Sequence, residues 1–101
     1  MSFDEDLARR LRQLLPEAVE KSMFGGIGLM ERGHLIAGVL QSDLLVRVPG
    51  EETEEWLRKP GAHRKTSGRA MNGWVMVSAR ALDEDPALAN WVRRSRAIAN
   101  R

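Results

Sequence analysis

The sequence of 101 residues contains no cysteine and only two histidines. The lack of cysteine excludes disulfide bonds, thiolate zinc sites and cysteine nucleophiles. Small secreted domains often rely on disulfides, so this absence favours a cytoplasmic protein. His34 and His63 fall in a predicted turn and in a polar stretch, at a spacing that does not suggest metal ligands. We therefore predict neither a metal site nor a cofactor.

Long apolar runs are also missing from the chain. The longest, Leu35–Leu40, contains a glycine and is far shorter than the roughly 20 residues that span a bilayer. The first residues, Met1–Asp6, are acidic and lack the basic-then-apolar pattern of a signal peptide. With 43% apolar and 30% charged residues, the composition is typical of one soluble globular domain, residues 1–101, without membrane contact.

Neither sign of charge dominates, because 16 basic residues face 14 acidic ones and the net charge is +2. The basic residues nevertheless cluster in Arg58–Arg69 and Arg93–Arg101. Each cluster is either a solvated surface or a binding surface for nucleic acid, and the sequence leaves both open. The candidate nucleic-acid or anion contacts are Arg47, Arg64, Lys65, Arg69, Arg93 and Arg94.

The first half of the chain reads as one helix followed by strands. Ser2 and Glu5 form an S-x-x-E capping box before a stripe of leucines, Leu7, Leu11, Leu14 and Leu15, which predicts a helix over residues 2–15. Short apolar runs separated by glycine-containing turns then predict four strands. They are residues 18–24, 27–30, 35–40 and 44–48.

The second half predicts two more helices around a hairpin. Residues 51–59 have glutamates first and basic residues last, which suits a helix dipole. Residues 62–68 have the least structured sequence. Asn72-Gly73 predicts a tight turn between a short strand at 69–71 and a firmer one at 74–78. Asp85 as N-cap and Pro86 at the first position predict the last helix.

Together these elements predict an α+β domain in the order α-β-β-β-β-α-β-α. About five strands form an antiparallel meander sheet, with three helices packed mainly on one face. Gly28 and Gly38 lie in strands, where glycine is unfavourable unless something approaches closely. We therefore predict that a partner, most simply a second copy in a homodimer, covers the open face. Arg47 either lies on that face or is paired in a partly buried site, where it would hold an anion.

The sequence contains no pattern that supports catalysis. Gly25-Gly26-Ile27-Gly28 leads into a strand rather than a helix, so it predicts a bend and not a phosphate-binding loop. The serines lack the setting of a nucleophile, and Trp56, Trp74 and Trp91 are predicted to pack in the core. We expect a protein that is not an enzyme.

Several motifs together resemble the TfoX N-terminal domain family. The first group is Met23-Phe24-Gly25-Gly26, then Gly33, Gly38-Val39 and the run LLVRV at Leu44–Val48. The second is Pro60-Gly61, Gly68–Met71 with Gly73-Trp74-Val75, and Trp91-Val92. The motif residues given a structural role are Met23, Phe24, Gly25, Gly26, Gly38, Gly73 and Trp74. Ala70 departs from the family pattern, in which many members have proline.

The resemblance implies a small α+β domain with an antiparallel sheet, and a link to regulation of competence for DNA uptake in bacteria. The named regulators carry a second, C-terminal domain for which 101 residues leave no room. We accordingly predict a regulatory or protein-interaction module. The alternative is a nucleic-acid-binding module that uses Arg58–Arg69 and the arginine face of the last helix. A third hypothesis is a small-molecule pocket near Gly25 and Arg47.

Overall fold

Over the residues that the structure describes, the fold consists of a six-stranded antiparallel sheet and three α-helices. The structure is a computed structural model that describes residues 4–23, 25–64 and 73–100. The strands are β1 (Val19–Met23), β2 (Gly26–Glu31), β3 (His34–Leu40), β4 (Asp43–Arg47), β5 (Ala62–His63) and β6 (Trp74–Ser78). The α-helices are α1 (Glu5–Leu14), α2 (Thr53–Trp56) and α3 (Asp85–Ala99). Short 3-10 helices, Gly50–Glu52 and Ala79–Leu82, precede α2 and α3.

The strands lie in the order β1-β2-β3-β4-β6-β5, and all neighbours are antiparallel. The predicted α+β class and the meander of the first four strands are confirmed. The sheet has one strand more than the five expected, because Ala62 and His63 pair with Val77 and Met76 of β6. Two residues are too few to show a periodicity, so this part of the chain read as unstructured. The strand predicted at residues 69–71 lies outside the described residues.

The paired glycine makes the bend that the sequence predicts. Gly25 has φ +78°, in the left-handed region that glycine enters without steric cost, and β2 begins at the next residue. The turn from β2 to β3 has positive φ at both Arg32 (52°) and Gly33 (80°). That pattern is typical of a type I′ hairpin, which matches the twist of the strands.

Both predicted helix caps need correction. The N-cap of α1 is Asp4 rather than Ser2, and its carboxylate accepts a hydrogen bond from the Leu7 N–H at 3.0 Å. Like serine, aspartate can accept a hydrogen bond from a free N–H group of the first turn. The helix therefore starts at Glu5, directly after this cap. Asp85 is the first residue of α3 rather than its cap, and its carboxylate pairs with Arg10 of α1 at 2.9 Å.

The predicted middle helix is also shorter than expected. It ends at Trp56, because the N–H groups of Arg58 and Lys59 bond to carbonyls only three residues back, those of Glu55 and Trp56. Such i→i−3 bonds tighten a helix end into a turn.

The main core lies between the helices and the face of the sheet that they cover. We call this face the helical face. Leu7 and Leu11 of α1, and Leu88 and Val92 of α3, are buried against it. Leu14, predicted on the same stripe, is instead 36% exposed. The sheet contributes alternate residues, as expected from the pleat. They are Ile27, Leu29, Ala37, Val39, Leu44, Val46, Val75 and Val77, with Ile36 from an irregularity in β3.

The opposite face of the sheet, the second face, is less open than predicted. Leu40, Leu45 and Met76 are buried there in a small cluster of their own, with Leu35 and Trp74 packed against it. A Cβ added to Gly28 would lie 2.7 Å from both the Leu35 and the Met23 side chains. Side chains of this chain therefore occupy the space above Gly28, and the glycine does not by itself indicate an approaching partner.

Candidate functional site

Two tryptophans from α2 and α3 form the floor of a groove on the helical side of the molecule. Trp56 and Trp91 pack edge to face, with ring centres 5.4 Å apart and planes at 61°. The groove has a volume of about 690 Å³. We call it the tryptophan groove, and its lining is Trp56, Lys59, Pro60, Ala81, Ala87, Asn90, Trp91, Arg93, Arg94 and Ala97.

Buried polar contacts fix α2 beside the sheet and so position Trp56. The Thr53 hydroxyl donates to the Gly50 carbonyl and accepts from the Gly73 N–H, each at 2.8 Å. The Gly73 carbonyl in turn accepts from the Val48 N–H at 2.8 Å. The Trp56 Nε1–H donates to Glu52 at 3.0 Å. The indole is thereby held in one orientation and is only 8% exposed.

Three cationic side chains stand at the rim of the groove. The Arg94 guanidinium carbon lies 4.6 Å from the Trp56 ring centre, and Lys59 Nζ lies 5.3 Å from it. Both distances are within the range of cation–π attraction. Arg93 donates to the Asn90 side chain at 3.1 Å. Among residues 4–23, 25–64 and 73–100, no carboxylate forms an ion pair with these three cations.

A smaller cavity of about 190 Å³ adjoins the groove and shares Trp56, Trp91, Arg94 and Ala97 with it. Its lining extends to Arg47 and Glu52. The predicted small-molecule pocket near Arg47 therefore has a concave counterpart, but Gly25 is not part of its lining. Two of the predicted anion contacts, Arg93 and Arg94, line the groove, whereas Arg47 lines only the smaller cavity.

Arg47 itself is half-buried on the second face and is held by groups of its own chain. Its Nε donates to the Leu35 carbonyl at 2.9 Å, and its guanidinium carbon lies 4.5 Å from the Trp74 ring centre. Both contacts are to residues that pack against the buried cluster of Leu40, Leu45 and Met76 on the second face. A stabilising role is thus sufficient to explain this arginine.

The other predicted contacts are not brought to the groove. Arg64 forms an ion pair with Glu54 on the surface. Lys65 and Arg69 lie outside the described residues. Sequence reasoning assigned the two tryptophans to the core and included Lys59 only within the basic run Arg58–Arg69. The available signal was a shared spacing, since Trp56 precedes Lys59, and Trp91 precedes Arg94, by three residues. Arg94 is thereby one turn beyond Trp91 on α3, and Lys59 lies in the tight turn that follows Trp56.

The histidines show no grouping suited to a metal. His34 is exposed, whereas His63 Nε2 lies 3.1 Å from an Asp43 carboxylate oxygen. In the part of the chain that the structure describes, no three His, Asp or Glu side chains are close enough to hold a metal ion.

The motif residues fall at turns and in strands. Met23 ends β1, Gly25 makes the bend, and Gly26 begins β2. Gly38 lies in β3 opposite Gly28, and Gly73 directly precedes Trp74 at the start of β6. Phe24 lies outside the described residues.

Comparisons with known proteins place the chain in one family. Neither a curated protein nor a solved structure matches it. In the described residues, no helix has the length and apolar character to cross a membrane. The family model of the TfoX N-terminal domain matches residues 9–99, nearly the whole of the 101-residue sequence. The chain therefore belongs to the TfoX N-terminal domain family.

Proposed function

We propose that this domain is a non-enzymatic regulatory module that acts by docking a partner protein in the tryptophan groove. The observation that carries the proposal is the groove itself, in which the Trp56–Trp91 pair and the rim cations Lys59, Arg93 and Arg94 converge. The link to regulation rests on the family, and the docking rests on the chemistry of this surface.

The composition of the groove supports a protein ligand. Tryptophan and arginine are enriched among the hot spots of protein interfaces, the few residues that contribute most of the binding free energy. Here they surround small apolar side chains, Ala81, Ala87 and Ala97, so that a side chain of a partner can enter. A volume of about 690 Å³ is also within the range of natural binding clefts.

The nucleic-acid alternative receives less support from the same contacts. Stacking of bases requires exposed aromatic faces, whereas Trp56 is 8% exposed with Arg94 over its ring. Arg64 and Arg96, which would extend a phosphate-binding surface, are paired with Glu54 and Glu31.

Site-directed photo-crosslinking in living cells tests the proposal. A photoreactive amino acid replaces Ala97, which is exposed in the groove, or Gln13, which is exposed on α1, as the matched control. We expect the Ala97 position alone to give a covalent adduct with a defined protein, identified by mass spectrometry. The adduct should disappear in an Arg94→Glu background. Equal adducts from both positions, or none from Ala97, would contradict docking in the groove.

The predicted homodimer has separate support at the edge of the sheet. β1 is a terminal strand, and its Val19 side chain is 65% exposed. Unpaired backbone groups of an edge strand can pair with those of a second copy. Sedimentation velocity over a range of micromolar concentrations should show a dimer, and a Val19→Pro variant should shift the protein towards monomer. A monomer at every concentration would end this prediction. A cytoplasmic location stays a prediction and is tested by cell fractionation.

A further inference from the structure

We infer that the segment docked in the tryptophan groove is acidic and amphipathic, with carboxylates that bind Arg94, Lys59 and Arg93 and an apolar side chain that packs on Trp91 and the alanines of the groove. This inference rests on the proposed function and names the chemistry of its partner.

The cations are arranged to bind carboxylates rather than merely to remain solvated. The Arg94 guanidinium carbon lies over the Trp56 ring, 4.6 Å from its centre, and none of its N–H groups forms an ion pair with a carboxylate of the described residues. A guanidinium edge matches a carboxylate through two parallel hydrogen bonds. Because the ring already restrains the side chain, less conformational entropy is lost when a ligand binds.

The charge at the rim is not balanced by the chain around it. Glu52 lines the adjoining small cavity together with Arg94, yet these two described residues form no ion pair with each other. Glu52 instead accepts the hydrogen bond of Trp56 Nε1 at 3.0 Å. Within the described residues the rim therefore presents three cations without a carboxylate partner, which a ligand's carboxylates can supply.

The surroundings limit the length of the acidic ligand. Glu51 and Glu55 are exposed in and before α2, and Asp83 and Glu84 are exposed just before α3; none of the four forms an ion pair within the described residues. Their like charges oppose a long polyanion such as nucleic acid more than they oppose a short segment with a few carboxylates. Trp91 and the alanines of the groove provide the apolar part of the contact.

Peptide binding measured by fluorescence anisotropy tests this inference. The probe is a labelled peptide of four Glu-Glu-Leu repeats, and its matched control has glutamine in place of each glutamate. A single-stranded DNA of similar length is the third probe. We expect the acidic peptide to bind at least about tenfold more tightly than the glutamine peptide, the ratio expected for one or two charge-assisted hydrogen bonds.

Variants of the protein locate the binding. Arg94→Glu should weaken binding of the acidic peptide at least about tenfold. Arg32→Glu, an exposed site in the β2–β3 turn outside the lining of the groove, makes the same change in net charge and should leave binding nearly unchanged. Arg94→Lys should fall between the wild type and Arg94→Glu, because lysine keeps the charge and loses the planar donor pair. Circular dichroism confirms that each variant is folded.

Three outcomes would overturn the inference. They are equal binding of the acidic and glutamine peptides, equal effects of Arg94→Glu and Arg32→Glu, and binding of the DNA but not of the acidic peptide. If the Ala97 crosslink forms while the two peptides bind alike, the groove docks a protein without reading its charge, so the inference fails and the proposed function stands. If the Ala97 crosslink is absent as well, both fail.

Discussion

The Ser95 hydroxyl accepts a hydrogen bond from the Arg47 N–H at 2.8 Å, and it donates to the carbonyl of Ile36. It joins α3 to β3 and β4 beside the irregularity in β3, and Ser95 is fully buried. Replacement by alanine leaves a buried donor and a buried acceptor without a partner. We expect Ser95→Ala to lower the free energy of unfolding by about 1–3 kcal/mol, measured by urea denaturation.

The matched control for this prediction lies two residues further along α3. Ala97 is exposed, so Ala97→Ser changes the same atoms in a solvated place and should alter stability by less than about 0.5 kcal/mol. Equal effects of the two substitutions would show that the Ser95 bridge is not stabilising.

Thr53 provides a second test of a buried hydroxyl. Thr53→Val keeps the shape of the side chain but removes the bonds to the Gly50 carbonyl and the Gly73 N–H. We expect a loss of about 1–2 kcal/mol in unfolding free energy. Thr53→Ser, which retains the hydroxyl, should lose less. A valine variant as stable as the wild type would contradict the role assigned to this contact.

The glycines of β2 should differ in their tolerance of a side chain. A Cβ at Gly28 meets flexible side chains of Leu35 and Met23, which can move at a cost of about 1–3 kcal/mol. A Cβ at Gly26 collides with the backbone carbonyl of Val39, which cannot move without disturbing the sheet. Thermal denaturation should show a larger loss for Gly26→Ala than for Gly28→Ala. Met23→Ala in addition should reduce the cost at Gly28, and the reverse ranking would refute this account.

The Arg12–Glu20 pair gives stability a defined dependence on pH. Arg12 donates to both carboxylate oxygens of Glu20, at 2.7 and 3.0 Å, and this hydrogen bonding lowers the pKa of Glu20. A carboxylate with a lowered pKa stabilises the fold fully above its unfolded value of about 4.3, and loses that contribution as the pH falls through the folded value. Both side chains are about 40% exposed, so the contribution should stay below about 1 kcal/mol.

The measurement compares the wild type with Glu20→Gln by urea denaturation at several pH values. The difference in unfolding free energy should be constant above about pH 5.5 and should shrink as the pH falls below about 4.3. A difference that grows towards acidic pH would reverse the sign of this linkage. High salt should reduce the difference at neutral pH, since an exposed pair is screened.

The strands of the meander were predictable because each carries its own short-range pattern. Alternation in Leu44–Val48 and the glycine at Gly33 identify β4 and the β2–β3 turn without knowledge of the fold. The N-cap of α1 was placed two residues early, since Ser2 and Asp4 are equally suitable caps and only packing of the helix decides between them. β5 could not be predicted, because a strand of two residues is defined by its partner β6.

The groove was less predictable than the sheet. The cations Arg93 and Arg94 were identified from charge clustering, but the aromatic floor was assigned entirely to the core. Trp56 is indeed buried, and it belongs to the site only because α3 brings Arg94 over its ring from a position 38 residues away in the sequence. Contacts of that separation depend on how α2 and α3 are docked, which local patterns do not specify.

The two ends of the sheet differ in length, five residues in β1 and two in β5. Growth of a sheet beyond one molecule needs a template strand long enough to bind the next copy, and very short strands do not offer one. Within the described residues, only the β1 end meets that condition. If two copies pair through β1, as we propose, both β1 strands are buried and the short β5 strands lie at the two ends of the joined sheet. We therefore expect the assembly to close after one step and not to propagate into a fibre.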